Sequence, residues 1–191
     1  MKLIKPKINV KPSDKTFQAV IQREYIGKEL QENLLNANVL VVPNEGYGDR
    51  TDLVYFPSGT TDLYQFLQER QTEDFRIGVC IEDKDFKEVA LHADCLIIAQ
   101  FVVSSIVVPL LVDLLAEYIT QQLGKRRDET NVKSKLTIVD EQNGRQYEYS
   151  YEGPAAEYRD VMTKAISKIG IQSPRLPEKT KPKRRRHGKK K

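Results

Sequence analysis

Two carboxylates and a lysine, Asp52, Glu82 and Lys84, stand at the ends of apolar runs in the sequence. Carboxylates placed in this way hold Mg2+, and a neighbouring lysine steadies or deprotonates an attacking water, which is the equipment of a metal-dependent nuclease. The plainer reading is that Glu82 and Asp83 end a strand in solvent. A second cluster is Glu45-Gly46-Tyr47-Gly48-Asp49 with Asp52. Its glycines would let a backbone approach phosphate, but it is acidic and lacks the lysine and the spacing of a phosphate loop. It also lacks the alternating oxygen ligands and distal glutamate of a calcium loop, so it predicts a hairpin loop. His92 and Cys95 lie three apart with no second pair to complete a metal site. His92 is expected at a helix C-terminus, where an imidazolium meets the helix dipole. The only other histidine, His187, falls in the last residues, so no nucleophile triad is predicted. No cofactor is expected, with Mg2+ entering only under the nuclease alternative.

The strongest chemical signal is a polycation. From Arg175 to Lys191 there are ten Lys/Arg against one acid, Glu178, a net charge of +9. Lys179, Lys181, Lys183, Arg184, Arg185, Arg186, Lys189, Lys190 and Lys191 can neutralise phosphates and release counterions without reading sequence. The segment has no aromatic residue, so it offers no stacking on bases. The whole chain has 31 basic and 27 acidic residues, so removing these ten and one leaves 21 and 26, a net of −5. That imbalance excludes a uniformly basic, histone-like protein, and a hydrophobic share of 39% excludes a wholly disordered one. Competing roles for the tail are nuclear import in a eukaryotic host, an electrostatic membrane tether, and solubilisation.

The elements that must position these residues follow from periodicity. Ile4 to Val10 reads as extended, and Tyr25, Ile26, Leu30 and Leu34 mark a helical stretch ended by Asn36-Ala37-Asn38. Val39–Val42 and Leu53–Phe56 are apolar strands, and Leu63, Phe66 and Leu67 mark a helix entered through Ser58-Gly59-Thr60-Thr61. Phe75, Ile77, Val79 and Ile81 alternate as a strand. Asp85 with Glu88 three residues on predicts a capping box, and Phe86, Val89, Ala90 and Ala93 the buried stripe of the helix it opens. With Cys95–Ala99 as the next strand, residues 75–99 form a βαβ unit. Leu110, Leu111, Leu114, Leu115, Tyr118 and Ile119 then recur at helical spacing. Asn143-Gly144 predicts a two-residue hairpin turn pairing Ile138 with Tyr149, Leu136 with Tyr151 and Val139 with Glu148. Gly153-Pro154 predicts the start of a last helix lined by Tyr158, Val161, Met162, Ala165 and Ile169.

The expected fold class is mixed α/β (α+β): a small sheet with a βαβ unit, a long amphipathic helix, a C-terminal hairpin plus helix, and a disordered basic tail. Residues 1–172 form the body, with sub-units at 1–100 and 104–170, and 173–191 the tail. Cys80 and Cys95 read as reduced, buried thiols within apolar runs, and Met1–Lys7 has no apolar region behind its basic residues. Both point to the cytoplasm, or to the nucleus in a eukaryotic host. The membrane alternative is a single-span anchor through residues 95–115, since Cys95 to Val112 runs eighteen residues without a charge. Gln100, Ser104, Ser105 and Pro109 interrupt that run and argue for a strand followed by an amphipathic helix instead.

Two stretches of the chain resemble known families. Asp52-Leu53-Val54-Tyr55-Phe56 followed by Ile81-Glu82-Asp83-Lys84 is similar to the core of restriction-endonuclease-like nucleases. The predicted helix between them departs from the direct hairpin of that family. Residues 104–169 resemble the effector-associated constant component of bacterial conflict systems. The likeness lies in Ser104-Ser105 ahead of the helix Ile106 to Leu123, Lys125-Arg126-Arg127 after it, and the Asn143-Gly144 hairpin. Tyr118 stands late in that helix, where the family often carries tryptophan. The resemblance implies an adaptor that docks on an effector or sensor protein. The leading expectation is therefore an interaction module, more an adaptor than an enzyme, with a protein partner and a nucleic acid or other polyanion on its tail.

Overall fold

The computed structural model describes residues 5–90, 95–123 and 130–168. These residues form a mixed α/β structure of five helices and two mixed sheets. The strands are β1 (Lys7–Pro12), β2 (Val39–Val42), β3 (Asn44–Tyr47), β4 (Arg50–Pro57), β5 (Ile77–Val79), β6 (Glu88–Val89), β7 (Cys95–Ser104), β8 (Asn131–Asp140) and β9 (Arg145–Pro154). The helices are α1 (Phe17–Ile21), α2 (Lys28–Leu34), α3 (Thr60–Gln68), α4 (Val108–Leu123) and α5 (Tyr158–Ser167). The larger sheet has six strands in the order β1-β9-β8-β7-β2-β5, and the smaller one the order β3-β4-β6. Strands from both halves of the chain therefore share one sheet, with β7 between β2 and β8.

Side chains alternate across a strand, so the six-stranded sheet has two faces. One carries Val39, Val41, Phe101, Val103, Leu136, Ile138, Tyr149 and Tyr151, all buried in the main core with α3, α4 and α5. Tyr151 and Tyr158 meet edge to face at 5.1 Å, which pins α5 on β9. The other face carries Leu40, Val42 and Val102, which join a second core with Val20, Ile21, Ile26 and Leu34 from the α1–α2 region. β2 is buried along its whole length because it is covered on both sides, which is why it reads as an unbroken apolar run.

Three sequence expectations are corrected. The first is the βαβ unit at 75–99. Residues Asp83–Asp85 form a 3-10 turn and Glu88–Val89 a short strand parallel to β4, with no helix in the described part of that segment. Residues 91–94 lie outside the described residues. Phe86 stacks on Phe56 with ring centroids 4.9 Å apart, and the Phe56 N–H donates to the Lys87 carbonyl, so tertiary pairing overrides the local capping signal. Nor are β5 and β7 neighbours: β2 lies between them, parallel to β5 and antiparallel to β7. The βαβ unit of this fold is β7-α4-β8, whose strands are parallel, and β7 runs on to Ser104 where the sequence suggested Ala99.

The second correction is the hairpin. Ile138 faces Tyr147, Leu136 faces Tyr149 and Val139 faces Gln146. Residues 141–144 make a four-residue loop, because the Asp140 carboxylate accepts from the Asn143 N–H and its side-chain amide, while Gly144 takes φ 62°. The register shifts by two, so each residue keeps its predicted face. The third concerns helix starts. The single N-terminal helical stretch is two short helices with Tyr25 and Ile26 between them. Gly153 and Pro154 end β9, and α5 follows a 3-10 turn at Ala155–Glu157. Ile169 lies outside the described residues.

The uncharged run from Cys95 to Val112 is not one helix: it divides between β7 and the start of α4. Among the described residues no helix is long and apolar enough to cross a membrane. The anchor through residues 95–115 therefore has no helix to carry it.

Candidate anion-binding recess

The residues singled out by chemistry fall in separate places. Asp52 is exposed on β4, Glu82 is half-buried just ahead of the 3-10 turn, and Lys84 is exposed within it. No hydrogen bond or ion pair among the described residues links Asp52 to Glu82 or Lys84. No group of three or more His, Cys, Asp or Glu side chains that could hold a metal ion occurs among the described residues. Glu45 accepts a hydrogen bond from the Tyr25 hydroxyl at 3.0 Å and pairs with Arg23 at 3.3 Å. Burial, and then the Glu45 charge, raise the Tyr25 pKa above the usual phenol value. Gly46 and Gly48 take φ of 77° and 58° at the β3–β4 turn, so this cluster is the hairpin loop the sequence predicted.

Cys80 is buried, and burial pushes its thiol up to about 12, which makes it a packing residue. Cys95 is half-buried at the start of β7, a departure from the buried thiol expected. His92 and the basic residues Lys179, Lys181, Lys183, Arg184, Arg185, Arg186, Lys189, Lys190 and Lys191 lie outside the described residues.

The structure adds a site that the motifs did not single out. On the second face of the large sheet the second core reaches Val139 near one end of β8, and toward the other end β8, β9 and β1 present two polar cross-strand rows. The register places Lys7 opposite Glu152 and Glu152 opposite Lys133; the next row is Asn9, Ser150 and Lys135, with Gln100 of β7 beside Lys135. These rows line a recess of about 490 Å3, walled on its far side by Asn44 of β3 and by Tyr55 and Pro57 of β4. Ile97 adds an apolar patch, and the Gln100 side-chain amide donates to the Asn44 carbonyl oxygen, tying β7 to the hairpin.

Charge in the recess is uneven. Glu152 pairs with Lys133 at 3.1 Å. No ion pair among the described residues takes up Lys7 or Lys135. Three lysines thus stand against one carboxylate in a part of the protein whose sequence is acidic overall. Further along the same face Glu148 is almost fully buried and paired with Lys11 at 3.1 Å, which satisfies a carboxylate that burial alone would disfavour. The period-two pattern Lys133-Ser134-Lys135 is visible in the sequence. That it faces Ser150, Glu152, Lys7 and Asn9 follows only from the strand order β1-β9-β8.

No protein-family model matches the chain, and no curated protein and no solved structure matches it significantly.

Proposed function

We propose that this protein is an interaction module in which the α/β body docks on a protein partner and the basic C-terminal segment holds nucleic acid or another polyanion. The observation that supports this reading is the segregation of charge: +9 over residues 175–191 against −5 over the rest. The body is acidic in net, so attraction for a polyanion is concentrated in the tail, where each phosphate neutralised releases counterions. The likeness of residues 104–169 to the effector-associated constant component supports the docking half of the proposal. The α4-β8-β9-α5 stretch that carries this likeness includes two of the ten-residue strands of the large sheet, β8 and β9.

The test is equilibrium binding of labelled DNA and RNA oligonucleotides across a salt series, with the full-length chain and with Pro182–Lys191 deleted. The deletion removes seven Lys/Arg and no apolar side chain, so folding should be unchanged while affinity collapses. For the full-length chain, log K should fall linearly with log salt, with a slope of about −0.9 per DNA phosphate contacted. Undiminished binding by the shortened chain would place the interface on the body and refute the assignment. Pull-down of the native protein with and without nuclease treatment separates direct protein docking from bridging by nucleic acid.

A further inference from the structure

We infer that the recess on the open face of the large sheet is a binding site for a mononucleotide, with Lys7 and Lys135 on its phosphate. The inference goes beyond the tail reading and uses none of the tail residues. It begins from shape. A sheet face left in water is ordinarily flat and gives a ligand little to be enclosed by, but here the β3–β4 hairpin closes one side. The resulting volume of about 490 Å3 lies in the range of small-ligand sites, about 300–1,000 Å3.

Charge supplies the second argument. Lys7, Lys133 and Lys135 against Glu152 leave two positive charges, and the Lys133–Glu152 pair assigns them to Lys7 and Lys135. A phosphomonoester carries about −1.5 to −2 at neutral pH, which matches that excess. Asn9 and Ser150 lie in the same cross-strand row as Lys135, so a side-chain amide and a hydroxyl are placed to donate to the remaining phosphate oxygens.

The opposite wall suits the organic part of such a ligand. Asn44 and Gln100 hold each other through one amide contact, which fixes their planes and leaves each with further donor or acceptor positions. A carboxamide offers a donor beside an acceptor, the complement of the pattern on a base edge. Ile97 and Pro57 give apolar surface for a ring to lie against. Phosphate toward Lys7 and Lys135 and base toward Asn44 and Pro57 of the β3–β4 hairpin is the orientation that uses both sides of the recess.

The experiment is calorimetric titration of the full-length chain with AMP, GMP, CMP and UMP, and with the corresponding nucleosides. Salt is held at about 0.3 M, where the Debye length is short enough to weaken loose binding to the tail. At least one mononucleotide should bind saturably with one-to-one stoichiometry, and its nucleoside should bind at least about tenfold more weakly, a difference of about 1.4 kcal/mol. Lys135→Ala should lower affinity about tenfold or more and Lys7→Ala/Lys135→Ala should abolish it, while Lys135→Arg should retain most of it. Lys7 is exposed and Lys135 half-buried, so the variants should keep the wild-type circular dichroism and melting curve. Absence of saturable binding for all four nucleotides overturns the inference. Equal binding by wild type and Lys135→Ala also overturns it, because the anion would then be held elsewhere.

Discussion

Glu88 should be worth about 1.5 kcal/mol to this fold, and its contribution should vanish in acid. Helix α3 begins after Gly59, which has φ 89° and no side chain to cap the first turn. The cap comes from β6 instead: the Glu88 carboxylate accepts from the Gly59 N–H at 2.9 Å, the Thr61 N–H at 2.7 Å and the Thr61 hydroxyl at 2.8 Å. These are charge-assisted bonds at the positive end of a helix dipole. Losing an N-terminal cap costs about 0.5–2 kcal/mol, and the dipole contact adds about 0.3–1 kcal/mol at an exposed position. The contributions overlap and water screens the carboxylate, so Glu88→Ala should lose about 1.5 kcal/mol, lowering Tm by about 3–6 °C for a chain of this size. Glu88→Gln keeps one acceptor oxygen and should lose roughly half as much.

The pH dependence fixes the cause. Burial raises the Glu88 pKa, but the bonds from Thr61 and Gly59 outweigh it and hold the carboxyl below the ordinary range. A depressed folded pKa gives stability that is present above the unfolded value, about 4.3, and is lost as pH falls through the folded one. Urea unfolding of wild type and Glu88→Gln at pH 7 and at about pH 3 should therefore show a gap that closes in acid. Amide exchange at Gly59 and Thr61 should quicken in Glu88→Ala. A gap unchanged between the two pH values, or a loss below about 0.3 kcal/mol in Glu88→Ala, would refute the reasoning.

Two further substitutions probe the packing. The Tyr149 hydroxyl is buried without a hydrogen-bond partner among the described residues, so Tyr149→Phe should be neutral or stabilising by up to about 1 kcal/mol in urea denaturation, and a loss beyond about 1 kcal/mol would mean the hydroxyl is paired. Asp113, on the polar side of α4, meets Arg159 of α5 at 2.8 Å, so Asp113→Lys should cost about 0.5–1 kcal/mol rather than being silent; Asp113→Lys/Arg159→Glu should recover most of it, and failure of the double variant to recover would show that the pair contributes nothing.

What was legible in the sequence was periodicity within an element, and what was hidden was the partner of each element. Leu111, Leu115 and Ile119 announced the buried side of α4, and Val39–Val42 a strand covered on both faces, because burial is written in the spacing of single residues. Glu88 shows the limit. Its distance from Asp85 matches a capping box, and it does cap a helix, but that helix is α3, more than twenty residues earlier. Spacing identified a carboxylate fit for an N-terminus and could not say which N-terminus. The crossover was misplaced for the same reason: strands do form within Phe75–Ile81, over Ile77–Val79, and from Cys95 on, yet β2 lies between them.

The recess follows the same rule with one more step. Lys7, Lys133 and Lys135 each sit at an alternate position of a strand, where a polar residue ordinarily marks the wet face and nothing more. Three conditions turn them into a cluster: β9 pairs with β1 as well as with β8, the second core covers only the Val139 end of β8, and the β3–β4 hairpin closes the open side. None is encoded near the lysines. The hairpin register illustrates how robust the outcome is, because a two-residue shift from the predicted pairing kept Ser150 and Glu152 on the face of Lys133 and Lys135. A one-residue shift of β9 would have moved Tyr149 and Tyr151 onto the open face and Ser150 and Glu152 into the main core. Burial of the tyrosines therefore fixes where Ser150 and Glu152 emerge, as burial of Leu136 and Ile138 fixes where Lys133 and Lys135 do, and the chemistry of the open face is set by the packing of the closed one.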